Sequence, residues 1–399
     1  MPKSLVYGVF AGPGIATRRN LLSAMTALLL ISALVVEAAS VAPSVHAQTM
    51  VATIKVGGSP IGVAYDSAKG EVFVTNFASN TVSVISDAND AVVATVDVGH
   101  HPIGVAYDSS KGEVFVANSG DNTTSVISDA KNAVVATVRL GTFPSGVAYD
   151  SSKGEVFVTN SGDNTTSVIS DAKNAVVATV KVEGYPSGVA YDPSNGEVFV
   201  ANSINDTVSV ISDVTNAVVA TVDVGDYPVG VAYDSLRSEV FVTNHVDDTV
   251  SVISDITDGV VATVDVGTGP YGVAYDPSNG EVFVANHYQN ATSVISDADN
   301  TVVATVKAGL GLLGVAYDPS KGEVFAADYT GGVVSVISTA SSGTPEYEVI
   351  LGLALAGVVV VAASYAAVTR ARRSRGSALR GKPTSRSSFF RLDLSGSIQ

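Results

Sequence analysis

A closed all-β propeller of seven four-stranded antiparallel blades is the fold this sequence predicts, on three observations. The core G-V-A-Y-D returns with its tyrosine at Tyr65, Tyr107, Tyr149, Tyr191, Tyr233, Tyr275 and Tyr317, in equal steps without insertion or deletion. Each period holds four runs rich in β-branched residues between Asn, Asp and Gly turns, which is what one propeller blade needs. The array also starts out of phase: Met50–Val56 (M-V-A-T-I-K-V) matches the last strand of a repeat, Val92–Val98, and the chain of repeats stops at Val334–Ser338 without that strand. Residues 51–56 are therefore expected to supply the outermost strand of the seventh blade. Such closure removes the sheet ends that an open array leaves sticky.

Within a repeat each segment has a physical role. Gly62 and Ala64 of the first strand leave room for neighbouring strands to crowd near the axis. Asp66 to Gly70 reads as a hairpin turn, with Asp capping the backbone and Gly supplying a positive φ. Val72-Phe73-Val74 is apolar on successive positions, as expected where both faces of a sheet are covered. A residue that recurs once per blade serves the blade, because a single active site does not need seven copies. Asp66, Glu71 and Asn76 with their counterparts are assigned on that ground to turns, strand starts and loop anchoring. The Asn76 series, Asp328 in the last copy, is expected to tie down the neighbouring loop.

The flanks read differently from the 48–338 propeller. Residues 1–47 look like a signal or targeting segment, with Lys3, Arg18 and Arg19 ahead of the apolar run Leu21 to Val36 and small residues before Gln48. Thr17 to Leu22 (T-R-R-N-L-L) loosely matches a twin-arginine export signal; an ordinary secretory signal or an uncleaved anchor fits too. All three place the propeller outside the cytoplasm. A polar linker, 339–348, leads to Val349 to Val368, a stretch without a charge that is long enough to cross a bilayer as one helix. The basic tail, 369–399, is expected to stay cytoplasmic.

Charge narrows the class of partner. The whole chain carries −16, but residues 48–348 hold 11 Lys and Arg against 36 Asp and Glu, a net −25. Nucleic acid, which needs a basic footprint, is excluded as a partner. There is no Cys, hence no thiolate metal site, disulfide or cysteine nucleophile.

The F-V-T-N of residues 73–76, 157–160 and 241–244, preceded by G-V-A-Y-D and followed by T-V-S-V-I-S and V-A-T-V-x-V-G, resembles the YVTN family of β-propeller repeats. The resemblance covers all seven copies. It departs at the leading Phe, at Ala117, Ala201 and Ala285, and in the last blade, which reads F-A-A-D at Phe325 to Asp328 and has Gly311-Leu312-Leu313 in place of the loop proline. The resemblance implies a seven-bladed propeller of the archaeal surface-layer and cell-surface kind. It brings no catalytic residues.

Positions that differ between blades are where individual function can reside. The loops leading into the innermost strand and those after the second strand share one face of a propeller. There the sequence places His101, Phe143, Tyr185, Tyr227, Tyr271, His245, His287 and Tyr329, with Phe77, His100 and Tyr288 alongside. Aromatic and His enrichment around a funnel suits a binding rim; the competing reading is that variable loops collect amphipathic residues without purpose. His101, His245 and His287 come from the second, fifth and sixth blades with no carboxylate spaced to orient them, so no metal site and no cofactor are expected. Asn122, Asn164, Asn205 and Asn290 head N-x-Thr sequons between the second and third strands and are candidate N-glycosylation sites, although such turns favour Asn anyway.

Ser109 to Val138 and Ser151 to Val180 are identical at every position except Ala117 against Thr159. Blades this alike have hardly specialised, which favours avidity or a scaffold over a one-pocket enzyme. The expectation is a non-enzymatic, membrane-anchored, extracytoplasmic propeller that binds a cell-envelope protein or glycan. The alternative is a propeller enzyme or cofactor-associated periplasmic protein, lactonase-like or linked to haem or quinone, with its site near the funnel. A sensor is a third reading, but so short a tail holds no signalling domain.

Overall fold

The computed structural model describes residues 48–339, and every element in that span is a β-strand. The signal segment, most of the linker, the apolar stretch 349–368 and the basic tail lie outside the described residues. Seven separate four-stranded antiparallel sheets form, one per repeat. In the first blade the strands are Pro60–Asp66, Glu71–Asn76, Thr81–Ser86 and Ala91–Asp97, paired in sequence order. The seventh blade has Leu312–Asp318, Glu323–Asp328 and Val333–Ser338, and its fourth strand is Thr49–Lys55. That strand pairs antiparallel with Val333–Ser338 from Lys55 opposite Val333 to Thr49 opposite Ser338. The closure expected from the phase of the repeat is present.

Strand character follows side-chain chemistry. The second strand carries Val72, Phe73 and Val74, all with no exposed surface, because neighbouring blades cover both of its faces. Phe73 packs with Val82, Val84 and Val96 of its own blade and with Val114, Val116 and Ile127 of the next. Burying one such phenyl ring contributes about 1.5–3 kcal/mol, and all seven counterparts are fully buried. The core is thus a ring of layers between blades. Phe325 of the last blade closes it against Val63, Val72, Val74 and Ile85 of the first, together with Ile54. The outermost strands bury one side only, and Val93, Val219 and Val261 stay more than half exposed.

Around the axis the innermost strands stand edge against edge, which only glycine permits. A Cβ on Gly62 would fall 2.3 Å from the carbonyl oxygen of Ile103, and one on Gly104 would fall 2.1 Å from that of Ser145. The relation runs round the ring until Gly314 meets Ile61 of the first blade at 2.2 Å. On one face of the ring a second chain of contacts links the blades. The G-V-A-Y-D tyrosine donates to a turn serine one blade back, Tyr149 to Ser110 at 2.9 Å and Tyr191 to Ser152 at 2.9 Å, and Tyr65 reaches Ser320 of the last blade at 3.1 Å. Burial pushes the phenols of Tyr149 and Tyr191 up to about 12, so they remain neutral donors.

The turns behave as their residues dictate. Asp66 Oδ1 accepts from the N–H groups of Ala68 at 2.8 Å and Lys69 at 3.2 Å, while Gly70 takes φ of 66°. The Asn76 series does less loop anchoring than its repetition implies. Asn76 Oδ1 accepts from Gly57 N–H at 3.1 Å, and Asp328 Oδ2 accepts from Leu310 N–H at 2.7 Å, so loops are held at the first and last blades. In every Asn copy the amide donates to the third strand of its own blade, as Asn118 does to Ser125 at 3.0 Å.

Candidate functional site

The rim is built by the residue that precedes each innermost strand. Ser59, His101, Phe143, Tyr185, Tyr227, Gly269 and Gly311 occupy this position, and all seven take a positive φ: 53°, 54°, 52°, 56°, 56°, 65° and 71°. Glycine accepts that conformation freely, whereas an L-residue in it costs about 1–2 kcal/mol. Six of the seven are also followed by proline, which restricts them further. Here four of the seven are large rings.

The preceding blade and the rim residue's own blade together over-determine this backbone. The N–H of Phe143 donates to Asn122 Oδ1 at 3.0 Å, that of Tyr185 to Asn164 Oδ1 at 3.0 Å, that of Tyr227 to Asp206 Oδ1 at 2.9 Å and that of His101 to Asn80 Oδ1 at 2.9 Å. Their carbonyls accept from the loop after the second strand: Phe143 from Ser161 N–H at 3.0 Å, Tyr185 from Ser203 at 3.1 Å, Tyr227 from His245 at 3.0 Å. The backbone is clamped on both sides and the side chain is turned outward. Phe143 is 60% exposed, Tyr185 44% and Tyr227 38%.

Blades five and six carry a continuous aromatic arc. The His245 ring lies 6.2 Å from Tyr227, 5.9 Å edge-on from Tyr271 and 5.5 Å from Tyr288, and His287 lies 4.8 Å edge-on from Tyr288. These spacings fall within the range of attractive ring pairs. Burial raises the phenol of Tyr271 to about 12, with Tyr227 and Tyr185 adding to the shift, and burial likewise raises Tyr227. Both phenols therefore present neutral hydroxyls at physiological pH. Elsewhere Phe77 stacks on His101 with centroids 4.5 Å apart, and Tyr329 stands exposed on the seventh blade.

The histidines are placed by backbone. His245 Nδ1 lies 3.2 Å from Pro270 O and His287 Nδ1 lies 3.3 Å from Leu312 O. A carbonyl can only accept, so Nδ1 carries the proton and Nε2 is the basic nitrogen. His101 belongs to the stack with Phe77, away from this pair. Among the described residues, no group of three or more His, Asp or Glu is arranged to hold a metal ion. Beside the rim, the exposed carboxyl of Asp121 is held below its usual range by hydrogen bonds from the His100 backbone and side chain.

The four sequon asparagines sit on this same face. Asn164, Asn205 and Asn290 are exposed and Asn122 half-buried. Asn122, Asn164 and Asn290 have φ of 56°, 54° and 59°, and each offers its Oδ1 to the following blade's loop. Asn205 Oδ1 accepts from Gly184 N–H at 2.8 Å. The threonines that complete the sequons, Thr124, Thr166, Thr207 and Thr292, are buried.

Sequence reasoning missed the clamp. Asn80, Asn122, Asn164, Asp206, Asp248 and Asn290 stand 21 residues ahead of the rim position they hold, an interval that recurs from blade to blade. Two open grooves of about 450 Å³ lie on the outer flank, against Val176 and Thr179 and against Val260 and Thr263; no rim aromatic lines either.

The seven sheets, the closing strand and the ringed loops define the class: this is a seven-bladed β-propeller with an aromatic rim on one face. No family model and no curated protein matches the sequence. Among solved structures, the Kuenenia stuttgartiensis hydrazine synthase is similar, with a TM-score of 0.64 and 19% identity over 71% of this chain and 96% of that one. At that identity the likeness establishes the fold alone.

Proposed function

We propose that this protein is a YVTN-type propeller of the cell surface, exported and tethered by the helix expected at 349–368, whose aromatic rim binds a cell-envelope protein or glycan. The repeat pattern supports the family reading, and the order of signal, ring, apolar stretch and basic tail supports the placement. One observation carries the binding role. His101, Phe143, Tyr185 and Tyr227 are exposed side chains on left-handed backbone, at a position where glycine serves in two other blades. Strain kept in place by hydrogen bonds from the preceding blade and from the second strand's loop of the same blade, with nothing gained in the core, fits selection for what the side chains touch. Exposed rings with neutral hydroxyls offer stacking and hydrogen bonding together, the chemistry that sugars and peptide loops both use.

The test is co-sedimentation of the full chain in detergent with envelope fragments. Phe143→Gly, Tyr185→Gly and Tyr227→Gly combined are expected to lower the bound fraction at least tenfold while the ring melts no lower than wild type. Unchanged binding by a well-folded triple variant removes the rim from the function.

A further inference from the structure

On the face of the tyrosine-to-serine chain, successive blades meet at junctions built to one plan. The Asp that caps the first hairpin turn is fully buried and faces the Asp after the third strand of the next blade, as Asp66 faces Asp129 and Asp192 faces Asp255. Two buried carboxylates side by side are costly unless positive charge stands with them. At four junctions the chain supplies that charge. Lys69 Nζ lies 3.8 Å from Asp129, Lys111 Nζ 3.5 Å from Asp171, Lys153 Nζ 2.9 Å from Asp213, and Arg237 Nε 3.2 Å from Asp297. At the sixth-to-seventh junction both partners are neutral, the Asn279 amide lying 3.4 Å from the Thr339 hydroxyl. Lys321 keeps the basic residue at the seventh-to-first junction.

The junction of the fourth and fifth blades fits neither pattern. Asn195 replaces the basic residue and turns its amide to Glu197 Oε2 at 2.8 Å, yet Asp255 keeps its carboxylate. Asp192 Oδ1 accepts from Ser194 N–H at 2.7 Å and Asp255 Oδ2 from the Tyr233 hydroxyl at 3.2 Å. Asp192 Oδ2 is buried with no donor, as are its counterparts on Asp66, Asp108, Asp150 and Asp234. Here, however, Asp255 Oδ1 is buried with neither a donor nor a Lys or Arg head, and Asp192 and Asp255 are 0% and 7% exposed. Ser194 and Tyr233 bring the two carboxyl groups together, the Tyr233 hydroxyl lying 3.1 Å from Ser194 Oγ and 3.2 Å from Asp255 Oδ2. Burial, with the Asp192 carboxyl beside it, raises Asp255; Glu197 and Asp258 add negative charge close by.

We propose that this junction is a cation site, in which Asp192 Oδ2 and Asp255 Oδ1 take one hard, oxygen-seeking divalent cation of the Ca²⁺ class where a Lys or Arg head stands at equivalent junctions. The hydroxyls of Tyr233, Ser194 and Ser238 are at hand to complete, with water, the coordination such an ion requires. Two carboxylates give modest affinity, about 10⁻⁴ to 10⁻³ M, the range of extracellular Ca²⁺ modules.

The experiment melts the chelator-stripped full chain at neutral pH and constant ionic strength against rising CaCl₂, beside Asn195→Lys and Asp255→Asn. A saturable rise of about 2 °C at ten times the dissociation constant is expected for the wild type, with one site per chain by calorimetry. Asn195→Lys supplies the missing cation, so it should melt higher without Ca²⁺ and lose the response; Asp255→Asn should lose it as well. A wild type indifferent to Ca²⁺, Mg²⁺ and Mn²⁺ overturns the proposal, and stabilisation by acid alone then identifies a shared proton instead. A Ca²⁺ response that persists in both variants overturns it too, since the ion binds elsewhere.

Discussion

Gly104→Ala tests the statement that the ring is held closed by backbone contact at its axis. The new Cβ would lie 2.1 Å from the Ser145 carbonyl oxygen of the next blade. Carbon and oxygen normally approach to roughly 3.3–3.6 Å, so the two strands must part by more than about 1 Å. The obstacle is backbone, which no rotamer change relieves, and in a closed ring widening one junction strains the others. Overpacking of a core typically costs about 1–3 kcal/mol, and this site belongs at the upper end. With an unfolding entropy of about 2.1 cal/mol/K per residue over roughly 290 residues, 3 kcal/mol lowers Tm by about 5 °C. Gly259→Ala is the matched control. It lies at the start of an outermost strand, where a Cβ meets nothing nearer than Thr257 Oγ1 at 3.6 Å and where four other blades carry Ala91, Ala133, Ala175 and Ala217. Alanine there should gain about 0.5–1 kcal/mol and raise Tm by about 1–2 °C. Differential scanning calorimetry reads both. Equal shifts, or a Gly104→Ala protein as stable as wild type, would refute the close-approach argument.

Other consequences are as direct. Ile54, 4% exposed in the closing strand, packs with Val334 and Val336; Ile54→Ala should cost about 2–5 kcal/mol, whereas Val51→Ala on the exposed side of that strand should leave Tm unchanged. Relieving left-handed strain should make Phe143→Gly more stable by about 1 kcal/mol even as it weakens binding, so melting and co-sedimentation should move in opposite senses. The carboxyl groups of Glu71, Glu113, Glu155, Glu239 and Asp258 are all raised, first of all by burial. A carboxyl raised in the folded state binds more protons there than in the unfolded chain, so its stabilisation is complete below the unfolded value of about 4 and is lost as pH climbs through the folded one. Tm should therefore rise when pH falls from about 8 towards about 5, with relief of the acidic ring's self-repulsion acting in the same sense; a Tm that falls over that interval contradicts the assignment.

The sequence made the frame legible because the frame repeats. A constant period, strand-like runs and a misplaced first strand together determine blade number and closure, and Gly62 was readable as a close approach because it recurs seven times. The rim was legible in composition but not in conformation. A residue before proline is biased towards extended backbone, so Tyr185 and Tyr227 carried no hint of a positive φ; what holds them there is a side chain 21 residues earlier. The junctions were less visible still. Asp192 and Asp255 lie a repeat and a half apart in the chain and meet only because one blade's first turn abuts the next blade's last, a relation that no local window contains.

That difference bears on how a symmetrical protein acquires an individual function. Seven equal blades fix the frame so firmly that a single position can change without loss of the ring, provided its neighbours still close. Each such change then stands against six internal controls. The Asn279 and Thr339 pair shows a junction whose two sides changed together, to neutral against neutral. Asn195 opposite Asp255 shows one whose sides did not, and its uncompensated carboxylates must draw a counter-charge from outside the chain or take up a proton. The rim obeys the same logic in reverse: glycine at positions 269 and 311 proves that the backbone does not require a ring there, so the rings of Phe143, Tyr185 and Tyr227 are retained despite their cost. Departure from the repeat, weighed against what the repeat would have supplied, is therefore the sharper guide to function in this molecule than any motif it contains.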